Sequence, residues 1–393
     1  MKKTLKDVQL KDKKVLMRAD FNVPLDKEGK ITDDSRIAAS LPSIKYILEN
    51  GGKLILMSHM GRPKGEVKPE FSLDPVAKHL STLLGKEVKK LNDCIGEEIE
   101  AEVAAMKDGD IILLENLRFY KEETNNDPEF AKKLASLGDI FVMDAFGTCH
   151  RAHASTEGVT HYLPSVAGFL VQKEIEYFGK VTTNPDHPYT LILGGAKVAD
   201  KIPVIENMLD KIDNLLIGGA MAYTFLKSRM KGIGASRVEN DMMDTVEAIF
   251  KKASANNVSI FLPQDHVVAQ EIAEGAKIQV EKEHISDGWM GLDIGPETIK
   301  SFEDVLKKSK TIVWNGPVGL FEMKEFAKGT NELAKFISKL DATTVIGGGD
   351  TAAAINQLGL GGKMSHMSTG GGASLEYLEG KVLPGIDALN DVE

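Results

Sequence analysis

Three arginines, Arg62, Arg118 and Arg151, follow short apolar runs that read as β-strands, and a fourth, Arg36, opens the first predicted helix behind Thr32-Asp33-Asp34-Ser35. A guanidinium makes bidentate hydrogen bonds to phosphate and carboxylate, so the set suits a small, multiply charged anion. His59 and His150 stand in the same loops and can add donors, while Asp20 or Asn22 can fix a substrate hydroxyl. Taken singly, each arginine reads equally well as a solvated charge or half of an ion pair. Their shared placement points to a site.

The second half of the chain offers different chemistry. Leu193-Gly194-Gly195-Ala196-Lys197-Val198-Ala199-Asp200-Lys201 follows a predicted strand and runs into a helical pattern, with Pro203 in its first turn. If both are helical, Lys197 and Lys201 share a face near a helix N-terminus, a plausible polyphosphate site. Gly347-Gly348-Gly349-Asp350-Thr351 makes a second strand–glycine–helix junction, in which Asp350 can hold Mg²⁺ directly or through water. The plainer alternative makes Asp350 a helix cap and the glycines a tight turn. Ser368-Thr369-Gly370-Gly371-Gly372 repeats the pattern after the last strand. Trp314-Asn315-Gly316-Pro317-Val318 through Glu322 supplies apolar walls and one carboxylate for a nucleoside, and Gly218-Gly219 allows close backbone approach to a base. No GxxxxGK[ST], no HRD or DFG set and no GxGxxG after the first strand is present. P-loop, protein-kinase and NAD-dependent Rossmann readings are therefore disfavoured.

These groups must be positioned by elements, and the elements alternate. Val15–Asp20, Lys53–His59, Asp110–Asn116 and Asp139–Phe146 read as buried strands, separated by amphipathic segments Arg36–Asn50, Asp74–Leu84 and Pro128–Leu137. The rhythm restarts at Tyr189–Leu193 and continues through Asn214–Ile217, Ser259–Leu262, Thr311–Trp314, Thr343–Ile346 and Met364–Met367. Such alternation predicts α/β architecture: two doubly wound parallel-sheet, Rossmann-like domains. At 393 residues two domains are the expectation. The helical stretch Val171–Lys180 is the expected hinge helix joining them. The boundaries read as 1–170, a connector at 171–185, and a second domain at 186–379. Ligands of open α/β sheets bind beyond the carboxyl ends of the strands, where nearly all the candidates fall.

The net charge of −10 argues against nucleic-acid and anionic-membrane partners. No apolar core precedes Val15 as a signal peptide requires, and no run approaches a membrane span, so a cytoplasmic protein is expected. Cys94 and Cys149 form no CxxC pair and read as buried or incidental thiols, although the basic surroundings of Cys149 leave a reactive thiol open.

Arg18-Ala19-Asp20-Phe21-Asn22-Val23-Pro24-Leu25 closely resembles the RxDxNVPL signature of phosphoglycerate kinases of the bacterial type. Ser58–Pro63, Glu115–Phe119, Asp144–His153, Gly194–Lys201, Val313–Glu322 and Gly347–Thr351 match that family's motifs in order and approximate spacing. The resemblance implies that Asp20, Phe21, Asn22, Arg36, His59, Met60, Gly61, Arg62, Arg118 and Arg151 bind 3-phosphoglycerate or 1,3-bisphosphoglycerate. It implies nucleotide contacts from Gly195, Lys197, Lys201, Gly218, Gly219, Gly291, Asn315, Pro317, Glu322, Gly348, Gly349, Asp350 and Thr351. ATP or ADP is then the co-substrate, with Mg²⁺ near Asp350 and the ribose at Glu322. Residues 380–393 are expected to return to the first domain, and a monomer is expected. Ala220 and Met60 stand where many relatives carry Gly and Leu.

Transfer to a carboxylate needs no general base, because the acceptor is already ionised near neutral pH. In-line positioning and charge neutralisation are then the catalytic tasks, assigned to Arg36, Lys197 and the amides around Gly349 and Gly371. Two other readings compete. A kinase for another small acyl phosphate would leave the four-arginine pocket without a second phosphate, and a non-catalytic nucleotide sensor has no need of Arg36, Lys197 and Asp350.

Overall fold

A computed structural model describes residues 1–392. The chain divides into two compact units, Met1–Ile175 with Val382–Glu393, and Glu176–Lys381.

The first unit is built on six strands: β1 (Lys14–Ala19), β2 (Lys53–Met57), β3 (Lys89–Lys90), β4 (Ile111–Leu113), β5 (Ile140–Asp144) and β6 (Ser165–Ala167). They pair in the order β3-β4-β2-β1-β5-β6, parallel throughout. Every residue of β5, and all of β1 after Lys14, is buried, as parallel strands covered on both faces must be. Val15, Met17, Leu54, Leu56 and Val142 meet Ile37, Ile44 and Ile47, which lie along one face of the helix Ser35–Glu49 at near-helical spacing. The helix Asp74–Leu84 starts with a proline in its first turn and stops at Gly85, whose φ of 60° ends it in the left-handed region. The returning segment is stitched on by hydrogen bonds from Gly385 N to Cys149 O and from Asn390 N to Ser165 O, both 2.9 Å. Cys94 and Cys149 are both free thiols in the interior, pushed well above the ordinary thiol range by burial.

The second unit contains β7 (Tyr189–Leu193), β8 (Asn214–Ile217), β9 (Ser259–Phe261), β10 (Asp265–Ala269), β11 (Gln279–Lys282), β12 (Met290–Ile294), β13 (Thr311–Asn315), β14 (Thr343–Gly347) and β15 (His366–Met367). Six of these form a parallel sheet, β15-β14-β13-β7-β8-β9. Ile192, Leu216, Ile312, Trp314 and Ile346 pack there against Phe302, Leu306, Leu333 and Ile337 from the helices Pro296–Leu306 and Lys328–Ile337.

Four sequence expectations need correction. A second, three-stranded antiparallel sheet, β11-β10-β12, accompanies the parallel one. Strands β1, β2, β4 and β5 end earlier than the apolar runs do, because the chain leaves the ladder before Asp20, His59, Asn116 and Phe146. Lys197 and Lys201 share no helical face: the helix Ile202–Met208 begins after Lys201. The connecting helix runs longer than expected, over Phe169–Thr183, and the boundary between the units falls within it. Its first turn is held by Asp144, whose Oδ1 accepts Leu170 N at 2.9 Å. Among the described residues no helix is long and apolar enough to cross a membrane.

Candidate functional site

In the first unit β1 lies between β2 and β5, so the winding of the sheet reverses there, and the loops beyond β1, β2 and β5 carry candidate residues. Asp20, the first residue after β1, accepts Asn22 N on Oδ1 at 3.1 Å and the Arg36 guanidinium on Oδ2 at 2.9 Å. Asn22 Oδ1 in turn accepts Gly61 N at 2.9 Å, tying the loop after β1 to the loop after β2. Gly61 has φ of 61°, and a Cβ there would lie 2.5 Å from the Phe71 ring. Arg118 donates to Gly61 O at 3.1 Å, while its Nε is buried with no protein partner. Asn116 fastens the same loop through Met60 O at 2.8 Å and Phe71 O at 2.9 Å. Phe21 and Met60 turn their side chains into the core, leaving only their backbones for a ligand. Arg62 and Arg151 are exposed, whereas Arg36 and Arg118 are half-buried.

Beneath this loop cluster lies a residue that the sequence reading did not assign. Arg18, the next-to-last residue of β1, is fully buried. Its Nε donates to Ser155 Oγ at 2.8 Å, and its NH2 contacts His59 Nδ1 at 3.0 Å. Ser155 N and Oγ both donate to the buried carboxylate of Glu123. A charged side chain inside the run Val15-Leu16-Met17-Arg18-Ala19 was the available signal, since a buried guanidinium requires partners.

Burial first, and then the positive charge of the cluster, alter the titration of its members. Burial, then Arg18 and Arg62 among its cationic neighbours, brings the Arg118 guanidinium down to about 10. Burial followed by Arg18, Arg118, Arg151 and His150 brings His153 down to about 4. His59 is driven well below the ordinary histidine range by burial, then by Arg18, Arg118, Arg36 and His153. At neutral pH the arginines therefore carry the positive charge and these two imidazoles none.

The edge of the second unit is made of backbone. In its sheet β7 lies between β13 and β8, again a reversal of winding. Gly194 and Gly195 donate to Asn315 O and Pro317 O, both at 3.0 Å, and Gly219 N donates to Val318 O at 2.9 Å. A Cβ on Gly194 would fall 2.1 Å from Pro317 O, and one on Gly316 would fall 2.2 Å from Gly194 O. Side chains are excluded there. Lys201 donates to Asn315 Oδ1, and burial lowers its pKa against the opposing pull of Asp200, Asp350 and Glu379. The Asn315 Nδ2 is buried with no partner. Thr351 Oγ1 accepts Gly316 N at 2.8 Å, so the loop after β13 is fixed to the helix Gly349–Gln357.

That helix leaves no capping role for Asp350. Its N-cap is Gly348, no side chain caps it, and the exposed Asp350 lies in its first turn. Nothing crowds Gly349 or Gly371 within 4 Å. Lys197 and Glu322 are exposed. Gly291 is buried in β12, where a Cβ would lie 1.8 Å from the Tyr223 hydroxyl, so its proximity to Tyr223 already accounts for the glycine. Among the described residues no three His, Cys, Asp or Glu side chains gather as a metal cluster. A lone accessible carboxylate fits Mg²⁺, which usually takes one or two protein carboxylates and completes its shell with phosphates and water.

Two open parallel sheets with polar groups gathered beyond their strand ends define an α/β protein of the ligand-binding kind. A family model described as Phosphoglycerate kinase matches residues 5–381. The phosphoglycerate kinase of Clostridium botulinum is 58% identical over 393 residues, and that of Moorella thermoacetica 55% over 391, with 99% of each chain covered in both cases. Among solved structures, phosphoglycerate kinase from Coxiella burnetii is similar with a TM-score of 0.90 at 42% identity, covering 99% of this chain and 98% of that one. The Pyrococcus horikoshii structure gives 0.85 at 33% identity, covering 98% of each. The chain belongs to the phosphoglycerate kinase family, glycolytic phosphotransferases with a carboxyl group as acceptor and ATP or ADP as co-substrate.

Proposed function

We propose that this chain catalyses reversible, Mg²⁺-dependent phosphoryl transfer between 1,3-bisphosphoglycerate and ADP, giving 3-phosphoglycerate and ATP. The observation that carries this reading is the arginine cluster of the first unit, assembled on a chain whose net charge is −10. Arg36, Arg62, Arg118 and Arg151 hold the phosphate and carboxyl ends of the glycerate, and Asp20 and Asn22 orient it. Asp20 also aims Arg36 through their 2.9 Å ion pair.

The second unit takes the nucleotide. Gly195, Gly218 and Gly219 let the base and ribose lie against backbone, Glu322 accepts from the ribose hydroxyls, and Lys201 and Asn315 turn toward the phosphates. Asp350 would hold Mg²⁺ together with the phosphate oxygens. When bound, the ion neutralises phosphate charge. Lys197, Arg36 and the amides at Gly349 and Gly371 stabilise the moving phosphoryl group. Because the acceptor is a carboxylate, no side chain has to remove a proton. Motion about the helix Phe169–Thr183 brings the two reactants together and excludes water.

A coupled assay with 3-phosphoglycerate, MgATP and glyceraldehyde-3-phosphate dehydrogenase tests the reading, with NADH consumption dependent on all three additions. ADP formation from MgATP with acetate or carbamate as acceptor, and none with 3-phosphoglycerate, would replace it by a different acyl-phosphate kinase.

A further inference from the structure

We infer that Arg18 is a positioning residue that fixes His59 with its ring proton on Nε2, so that His59 faces the acidic substrate as an uncharged, directional donor. The inference rests on the reading of this loop cluster as the 3-phosphoglycerate site. A guanidinium has five N–H donors and no acceptor. The ring nitrogen that Arg18 NH2 meets at 3.0 Å, Nδ1 of His59, must therefore accept. A ring accepting at Nδ1 carries its single proton on Nε2. An imidazolium would set donor against donor and add a cation to Arg18, Arg118 and Arg36, the groups already holding His59 in its neutral form.

Arg18 can impose this choice because it is itself immobile. Its Nε is taken by Ser155, its NH1 by Ala19 O at 2.5 Å, and Ser155 is bound twice by Glu123. Arg18, Ser155 and Glu123 are each 0% exposed, so the chain from Glu123 through Ser155 and Arg18 to His59 is shielded from competing water. Among the described residues His59 Nε2 has no hydrogen-bond partner and is not one of the fully buried atoms, which leaves that donor available. The arrangement separates two tasks. The other arginines attract the anion by charge, and His59 contributes direction.

The test is a two-bond ¹H–¹⁵N correlation spectrum of the full chain labelled in histidine, with His59 assigned by its loss in His59→Gln. At pH 7 the wild type should show His59 protonated at Nε2 alone, and added 3-phosphoglycerate should shift that signal. Arg18→Met should give a mixture of tautomers and raise KM for 3-phosphoglycerate about tenfold, the cost of one hydrogen bond to a charged ligand, while kcat moves much less. Ser155→Ala, which frees Arg18 Nε but keeps the guanidinium, should move both readouts the same way by less. A wild-type His59 protonated at Nδ1, or at both nitrogens, overturns the inference without involving any variant. So does an unchanged single tautomer in folded Arg18→Met. A correct tautomer that 3-phosphoglycerate leaves unmoved instead removes the substrate-site reading, and the inference falls with it.

Discussion

In the first unit the groups that face the ligand edge are side chains, and other side chains hold them. Asp20 aims Arg36, Asn22 and Asn116 fasten the Gly61 loop, and Arg18 braces His59. In the second unit the edge is mostly backbone, with glycine loops packed so closely at Gly194 and Gly316 that no Cβ fits. On the proposed function, the contrast follows from what each ligand offers. A small polyanion presents charge and hydroxyls in every direction and is best gripped by forked donors on adjustable arms. A nucleotide presents a flat base and a phosphate chain, which suit walls and rows of amides. The first unit should therefore be sensitive to the loss of side chains, and the second to their gain.

The largest effect tests the side-chain half of that contrast. Arg36→Ala should lower kcat about a thousandfold, with far smaller changes in the binding of either substrate, as expected when a transition-state donor is removed. A near-normal kcat in the coupled assay would break the assignment. Next, Asp350→Ala should raise the Mg²⁺ concentration needed for half-maximal rate by more than about tenfold, in keeping with loss of the one protein carboxylate on the ion. An unchanged metal titration would reduce Asp350 to a first-turn acid on a helix dipole.

A paired substitution in the second unit tests the backbone half. Gly194→Ala forces a methyl against Pro317 O and should cost about 1–3 kcal/mol in urea unfolding, the range for overpacking. Gly349→Ala meets nothing within 4 Å, so its unfolding midpoint should hold while MgATP affinity falls through obstruction of the amide row. Equal losses of stability in the two variants would erase the distinction. The smallest effect is one of pH. His153 is held at about 4 by burial and its cationic neighbours, while in the unfolded chain it titrates near 6.5. Its contribution is fully present above pH 6.5 and is lost as pH falls toward 4. Replacing it in His153→Gln should flatten the loss of stability between pH 7 and 5 by on the order of 1 kcal/mol, allowing for solvent screening.

Much of this was legible before any coordinates. Strands β7 and β8 match the expected Tyr189–Leu193 and Asn214–Ile217, because fully buried parallel strands are written as unbroken apolar runs. The β10–β12 sheet was not legible, since β11, Gln279-Val280-Glu281-Lys282, has one apolar side chain and lies at the edge of its sheet, paired to β10 alone. Lys197 and Lys201 had the spacing of a helical pair, but the glycine turn extends past them and postpones the first helical residue to Ile202. Arg36, His59 and Arg118 could be nominated by type and location alone. The roles of Ser155 and Glu123 could not, because nothing local marks Ser155, 137 residues from Arg18, as a partner of its guanidinium, or Glu123 as the acceptor behind Ser155.

The two interior thiols also offer a natural clock. Cys94 and Cys149 both belong to the first unit, and burial holds both as thiols rather than thiolates. An alkylating reagent near neutral pH should therefore react only when that unit opens, leaving the Glu176–Lys381 unit unrecorded. Counting alkylated molecules by mass against time, with and without 3-phosphoglycerate, would time the breathing of one half of the chain without any introduced label.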